Sequence, residues 1–290
     1  MKKRINIFVR FSITFIFTLF ACVAGWEVWV HYEEEPWTRD GHIRADIVDI
    51  APDVTGLVSE VYVKDNQRVK IGDQIFRIDE ERYLLAVKQL DAIIKTRLAT
   101  VDLAKKNIER YKRLEGTPGA ASKQVVDSAN TAYVEAQGLV EQSLADRSIA
   151  KLNLDRCIIR APVNGYLTNF QLRPGTHLTP GEAVGALIDE DTIHAAGYFE
   201  ETKLAHIKEG DPAIVHLMGE HEEIHGIVES IAKGVEDRER STGTKMLANI
   251  NQNISWVRLA QRFPVRIKFN VKPEHARTLI GRTATVIIGR

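Results

Sequence analysis

Two stretches of this chain share a spacing of turn residues that neither could use alone. "APDVTGLVSEVYVKDNQRVKIGDQIFRID" (Ala51–Asp79) and "APVNGYLTNFQLRPGTHLTPGEAVGALID" (Ala161–Asp189) align at a constant offset of 109 residues, the step from Gly56 to Gly165. Asn66 then matches Gly175, Gly72 matches Gly181, and Val61 and Val63 match Phe170 and Leu172. Leu57, Ser59, Val61 and Val63 alternate with Val58, Glu60, Tyr62 and Lys64, the period of a strand with one buried face. Gly56, Asn66, Gly72, Gly165, Gly175 and Gly181 read as turn positions, where Gly and Asn tolerate positive φ best. Neither half has enough strands to bury its own apolar face. The two together are expected to close one small β sandwich.

Each stretch is similar to half of a lipoyl or biotinyl carrier domain. A carrier would place its modified lysine at the tight turn joining the halves. Here that turn is replaced by an insertion, and the first lysine after the first half is Lys88, inside a helical pattern. The expectation is a sandwich that mounts a rod and carries no cofactor.

The insertion is Glu80–Cys157. From Glu80 to Leu114 it has no Gly or Pro, and Leu84, Val87, Leu90, Ile94, Val101, Ala104, Ile108 and Tyr111 recur at three- and four-residue steps, predicting a helix with one apolar seam. "EGTPG" (Glu115–Gly119) interrupts it. Ser122 is a candidate N-cap for a second helix. Its expected seam is Val125, Ala129, Ala132, Ala136, Leu139, Ile149 and Leu152, rich enough in alanine for close helix approach. The pattern predicts an antiparallel hairpin with arms of about 50 Å.

The N-terminus bears on compartment. Lys2, Lys3, Arg4 and Arg10 precede "FSITFIFTLFACVAGWEVWV" (residues 11–30), which holds the single charge Glu27. About twenty apolar helical residues span a bilayer, and Trp26, Trp29 and Tyr32 suit the far interface. The basic cluster before the span and "HYEEE" after it predict a single-pass anchor with the N-terminus in the cytoplasm and the bulk of the chain outside it; a cleaved signal peptide or a lipid-modified Cys22 is the alternative. A formal net charge of zero argues against nucleic acid as partner. Cys22 and Cys157 lie in different regions, so no intrachain disulfide is expected.

The C-terminal third carries short alternating runs at 194–199, 213–218, 225–231, 264–269 and 283–289, which predict a small β barrel. "FEETKLAHI" (199–207) suits a short helix, and Asp40–Ile50 a further strand beside the barrel. "HEEIH" (His221–His225) matches the H-E-x-x-H pattern of zinc proteases. That chemistry needs both His on one helical face, whereas Gly219 and Gly226 bracket these residues between strand-like runs. A hairpin turn is expected, with no metal site. No nucleophile triad, phosphate loop or carboxylate pair stands out, so the chain is expected not to be an enzyme.

An anchor, a split lipoyl-like motif and a hairpin between its halves together resemble the periplasmic adaptor (membrane fusion, HlyD- and EmrA-like) proteins of bacterial exporters. "EEPWTRDGHIRADIVDIAPDVTGLV" (Glu34–Val58) and "LAQRFPVRI" (Leu259–Ile267) look like the branch serving p-hydroxybenzoic and other aromatic carboxylic acids. The resemblance implies an adaptor between an inner-membrane transporter of the aromatic acid exporter type and a TolC-like outer-membrane channel. It also implies self-association into a ring, with no cofactor. In the family the hairpin tip docks on the channel through Arg, then Leu four later, then Ser seven after that. Arg110 and Leu114 fit; Ser122 falls one residue late. An adaptor of a protein-secretion system, which commonly has longer hairpins, and a lipoyl or biotinyl carrier subunit are the alternatives.

The expected fold is α+β, elongated and multidomain. Residues 1–10 form a basic cytoplasmic N-terminus and 11–30 a transmembrane helix. Residues 31–46 form a linker with a candidate barrel strand. The lipoyl-like sandwich comprises 47–79 and 158–189, split by an α-helical hairpin over 80–157 with its tip at 115–121. A β barrel occupies 190–290.

Overall fold

The computed structural model describes residues 14–27, 29, 35–114, 122–235, 240–242, 248–250, 260–271 and 279–289. It divides into two units, Ile47–Asp191 and a second formed by Met1–Asp46 with Thr192–Arg290.

In the first unit the internal repeat becomes an exchange of strands. The first half supplies β2 (Ile47–Ile50), β3 (Gly56–Val61), β4 (Arg68–Val69) and β5 (Gln74–Ile78). The second supplies β6 (Ile158–Arg160), β7 (Gly165–Thr168), β8 (His177–Leu178) and β9 (Gly185–Asp189). They form two four-stranded sheets, β2-β9-β7-β4 and β6-β5-β3-β8, each drawing strands from both halves. The registers repeat at the sequence offset. Val58 opposes Ile78 as Leu167 opposes Leu187, and Gly56 opposes Leu178 as Gly165 opposes Val69. The loop hydrogen bonds repeat too. Asn66 N–H donates to Leu167 O at 2.8 Å and Gly175 N–H to Val58 O at 2.8 Å, while Gly72 donates to Ala161 O and Gly181 to Pro52 O. Each half satisfies backbone groups of the other, which is why both are needed.

The core lies between these sheets. Val58, Phe76, Ile78, Leu167 and Leu187 are buried, each such side chain contributing about 1.5–3 kcal/mol by leaving water. A register shift between Val58 and Glu60 breaks the simple alternation of β3: Val58 is buried and Leu57 is 51% exposed, while Val63 returns to the core. One extra residue in a strand turns over the face that follows it. Cys157 is buried in the same core, and burial, with the nearby Glu80 and Asp79 charges adding, pushes its thiol up to about 11.

Asn66 (φ 61°), Gly72 (88°), Gly175 (89°) and Gly181 (81°) have left-handed backbones. Gly56 and Gly165 do not occupy turns, which corrects the sequence reading: both lie in strands. Their requirement is space. A Cβ on Gly165 would fall on the carbonyl oxygen of Ile188, and one on Gly56 would meet Ile78 Cγ2 at 2.6 Å.

The insertion is a pair of helices, an outgoing one (Glu81–Leu114) and a returning one (Lys123–Asp155). The second unit is a closed six-stranded barrel. Its strands are β1 (Trp37–Arg44), β10 (His194–Glu200), β11 (Pro212–Leu217), β12 (Glu223–Ile231), β15 (Arg262–Phe269) and β16 (Thr283–Ile288). They close in the order β1-β10-β15-β12-β11-β16 around Ile43, Phe199, Val215, Val265, Ile267 and Val286. A two-stranded ribbon, β13 (Arg240–Thr242) with β14 (Ala248–Ile250), falls in the polar excursion between β12 and β15. The run Asp40–Ile50 is not one strand: it breaks after Arg44, leaving β1 in the barrel and β2 in the sandwich. Glu201–His206 forms a single 3₁₀ segment. His221–His225 connects β11 to β12, and Glu223–His225 are already strand, so the helical face of a zinc protease motif does not form.

The N-terminal anchor is not supported as read. Residues 14–27 are helical and exposed, but among the described residues no helix is long and apolar enough to cross a membrane. Residues 11–13, 28 and 30 of the expected span lie outside the described residues.

Because Gly165 abuts a backbone carbonyl that cannot move aside, Gly165→Val is expected to cost about 3 kcal/mol. It should open both halves to limited proteolysis. Gly72→Ala, at a left-handed position facing open space, is expected to cost only about 1–2 kcal/mol and to leave the digestion pattern unchanged. Urea unfolding monitored alongside proteolysis checks both.

Candidate functional site

The two helices meet along strict heptad spacing. The outgoing helix turns inward Tyr83, Val87, Leu90, Ile94, Arg97, Val101, Ala104, Ile108 and Tyr111. The returning helix answers with Val126, Ala129, Tyr133, Ala136, Val140, Ser143, Arg147, Ala150 and Leu154. Steps of three and four alternate throughout both sets, the signature of a coiled coil. The outgoing seam differs from the expected one at its base, where Tyr83 replaces Leu84, which is 39% exposed. Tyr83 donates its hydroxyl to Thr55 O at 2.7 Å, tying the helix to the sandwich.

The returning seam departs in part from the expected one. Val125, Leu139, Ile149 and Leu152 are 40%, 46%, 59% and 47% exposed. Ala129 and Ala136 of the expected seam do face the partner helix; Val126, Tyr133, Val140, Ser143, Arg147, Ala150 and Leu154 complete it, with Val126, Ala136 and Ser143 buried. Two arginines missed by an apolar pattern lie in the interface. Arg147 pairs with Asp91 across the hairpin, and Arg97 donates to Leu139 O. Their stems pack in the seam while their heads reach polar partners at its edge.

The candidate site lies at the far end of this coiled coil. Arg110 is exposed one turn before Leu114, the last residue of the outgoing helix, which is 38% exposed. Ser122 occupies the N-cap position of the returning helix (φ −85°, ψ 154°), but its side chain makes no capping hydrogen bond. Its carbonyl takes the amides of Val125 and Val126 instead. The expected tip, residues 115–121, lies outside the described residues. A groove of about 500 Å³ opens between the helices below the tip, lined by Leu103, Asn107, Tyr111, Val125 and Ala129. The arrangement offers an exposed cation, an exposed apolar end and a hydroxyl that makes no cap bond among the described residues: chemistry for protein docking. Among the described residues no group of three or more His, Cys, Asp or Glu could hold a metal ion.

Two family models cover this architecture. Residues 46–190 match the RND MFP barrel-sandwich hybrid domain, half of the chain. The chain belongs to the membrane fusion protein family. Residues 192–289 match the AAEA-like beta-barrel domain. Among solved structures, the membrane fusion protein Spr0693 from Streptococcus pneumoniae R6 superposes with a TM-score of 0.63 at 11% identity, over 87% of this chain and 97% of that one. MacA from Actinobacillus actinomycetemcomitans gives 0.58 at 20%, over 88% and 79%. A MacA-MexA chimera containing the Pseudomonas aeruginosa MexA α-hairpin domain gives 0.53 at 22%, over 88% and 79%. At these identities the likeness is one of fold. Membrane fusion proteins act as periplasmic adaptors of efflux pumps.

In this membrane fusion protein the seam and the exposed apolar residues outside it are expected to respond differently to substitution. Ala136→Leu would wedge the helices apart, costing about 1–3 kcal/mol. It should admit protease within 81–155 while the sandwich stays folded. Leu139→Ala, at an exposed site, should change stability by no more than about 0.5 kcal/mol. Limited proteolysis with mass mapping distinguishes the two.

Proposed function

We propose that this protein is the periplasmic adaptor subunit of a tripartite efflux pump. It would link an inner-membrane transporter to an outer-membrane channel and serve the export of small aromatic carboxylic acids. The single observation that carries the adaptor reading is a strand-exchanged sandwich holding both ends of a long coiled coil, in a chain of the membrane fusion protein family. The aromatic acid assignment is supported by the AAEA-like barrel match and by the sequence resemblance of 34–58 and 259–267. The role is mechanical: copies pack side by side and hairpins form a conduit wall. Val134, Leu139, Leu144 and Ile149 are exposed on the returning helix; at five-residue steps they fall on different sides of it, so copies packing beside the hairpin would cover only some of them.

The N-terminal segment completes this reading as a single-pass inner-membrane anchor with a cytoplasmic N-terminus. It rests on the basic cluster and the apolar run of 11–30. A periplasm-dependent reporter fused after Arg290 should be active, and a cytoplasm-dependent one silent. The opposite result would invert the topology.

Arg110, Leu114 and Ser122 are proposed to contact the channel. Arg110→Asp reverses a charge at an exposed helix position and should change folding stability by no more than about 0.5 kcal/mol. Export of an aromatic acid and cross-linking to the channel should both fall sharply at normal protein abundance. Full export with unchanged cross-linking would return Arg110 to the role of a solvated helix residue.

A further inference from the structure

The barrel unit holds a cleft of about 220 Å³ that the adaptor reading leaves unused. Trp37 and Arg39 come from β1, Tyr198 and Glu200 from β10, Arg262 from β15, and Lys203 from the 3₁₀ segment that follows β10. A local irregularity builds it. The ladder of β1 with β16 shifts register between Thr38 and Gly41, which frees Arg39 and Asp40 from that pairing and re-aims their side chains. Thr38 holds the bend, its hydroxyl donating to Tyr198 O at 2.8 Å and accepting the Asp40 amide at 3.1 Å.

Lys203 is the unusual member. It is only 8% exposed, and among the described residues its contacts are a long 3.4 Å hydrogen bond to Trp37 O and the Trp37 ring, 5.1 Å from Nζ to the centroid. Arg39 lies over the same indole at 5.5 Å. Two cations therefore share one aromatic ring. The nearby carboxylates do not offset both. Asp40 pairs with Arg262 at 2.8 Å, with His42 Nδ1 at 3.8 Å. Glu200 stands opposite Arg262 in the β10–β15 register, and among the described residues no ion pair joins it to Lys203. Among the described residues three cations thus line the cleft against two carboxylates. An ammonium with three donors, one long neutral acceptor and little water is an expensive group to keep. A core that needed only packing would use a Met or Leu in its place.

We propose that this cleft is a binding site for a small organic anion. Its carboxylate or phosphate oxygens would be taken by Lys203 Nζ and Arg39, and its apolar part would lie against Trp37 and Tyr198. The volume limits the bound portion to roughly the size of a single aromatic ring with its acid group. A free carboxylate and the phosphate of a lipid headgroup present the same chemistry here. The inference does not rest on what the pump exports, since it concerns binding to the isolated protein.

The test uses the full chain in phosphatidylcholine nanodiscs, titrated with benzoate and with inorganic phosphate. Calorimetry and Trp37 fluorescence provide the readouts, with Trp37→Phe identifying the fluorescence signal. Saturable binding is expected, weakened at least about tenfold by Lys203→Met and also by Arg39→Gln. Lys208→Met, an exposed lysine of the same unit, should have no effect. Without anion, Lys203→Met should be at least as heat-stable as the parent, because it removes a buried charge. Arg39→Gln, at an exposed position, keeps the test open should Lys203→Met fail to fold. A response confined to nanodiscs containing phosphatidylglycerol, and dependent on Lys203, would identify the lipid phosphate as the source. No response in any arm would overturn the proposal. So would binding undiminished in both variants, with Lys203→Met destabilised; Lys203 would then be a structural strut on Trp37.

Discussion

The exchange of backbone hydrogen bonds between the two halves of the sandwich is the constraint on which the rest of unit 47–191 depends. Val58 N–H finds Thr176 O and Leu167 N–H finds Gln67 O, both across the insertion. Such long-range pairing ordinarily carries a heavy loop-closure cost and slows folding. Here the intervening segment is a coiled coil that brings its own ends together. Its outgoing helix starts at Glu81 and its returning helix stops at Asp155. Immediately outside them Ile78 N–H donates to Cys157 O at 2.8 Å. Once the hairpin forms, the effective loop between the halves is a few residues. A long insertion is therefore compatible with a small sandwich only because it is a hairpin.

The returning helix mixes sizes along its seam. Ala129, Ala136, Ser143 and Ala150 alternate with Val126, Tyr133, Val140, Arg147 and Leu154, while Val134, Leu139, Leu144 and Ile149 are exposed. Alanine and serine at inward positions let the helix axes approach. Arg147–Asp91 and Arg97 to Leu139 O then supply direction that small apolar contacts cannot. The returning helix still leaves Val134, Leu139, Leu144 and Ile149 in water, on different sides of it; the assembly proposed above would cover those that face a neighbouring copy.

Much of this fold was legible because turns and heptads leave local marks. The repeat at Asn66/Gly175 and Gly72/Gly181 gave the sandwich, and the Gly- and Pro-free run after Glu80 gave the outgoing helix. What was not legible depended on contacts distant in sequence. Gly56 and Gly165 look like turn residues, yet their constraint is the close approach of Ile78 and Ile188. The face of β3 changes at a bulge that no alternation pattern records. Ala129 and Ala136 of the returning seam were read correctly, but hydrophobicity points to Leu139 and Ile149 where the heptad turns in Val140, Ser143 and Ala150. Of the tip residues, Ser122 was placed at its N-cap position, but the absence of a side-chain cap could not be read from its identity. The barrel cleft had no motif at all, since its cations come from three separated segments.

The same geometry explains why a sandwich suits the base of such a rod. Tyr83 of the outgoing helix bonds to Thr55 O, and Arg156, at the end of the returning helix, pairs with Asp53 at 3.3 Å. Both partners belong to the single segment between β2 and β3. A helix fixed at one point can pivot about it; two antiparallel helices fixed to the same short segment cannot turn without breaking their mutual seam. The buried thiol of Cys157, held neutral by its surroundings, sits just beyond the returning helix and fills the core at this junction. The direction of the hairpin from its sandwich is thereby set by packing. Where a carrier domain would have a tight turn bearing its lysine, this chain has a hairpin tied to one segment at the bases of both helices, an arrangement that would suit the conduit wall proposed above.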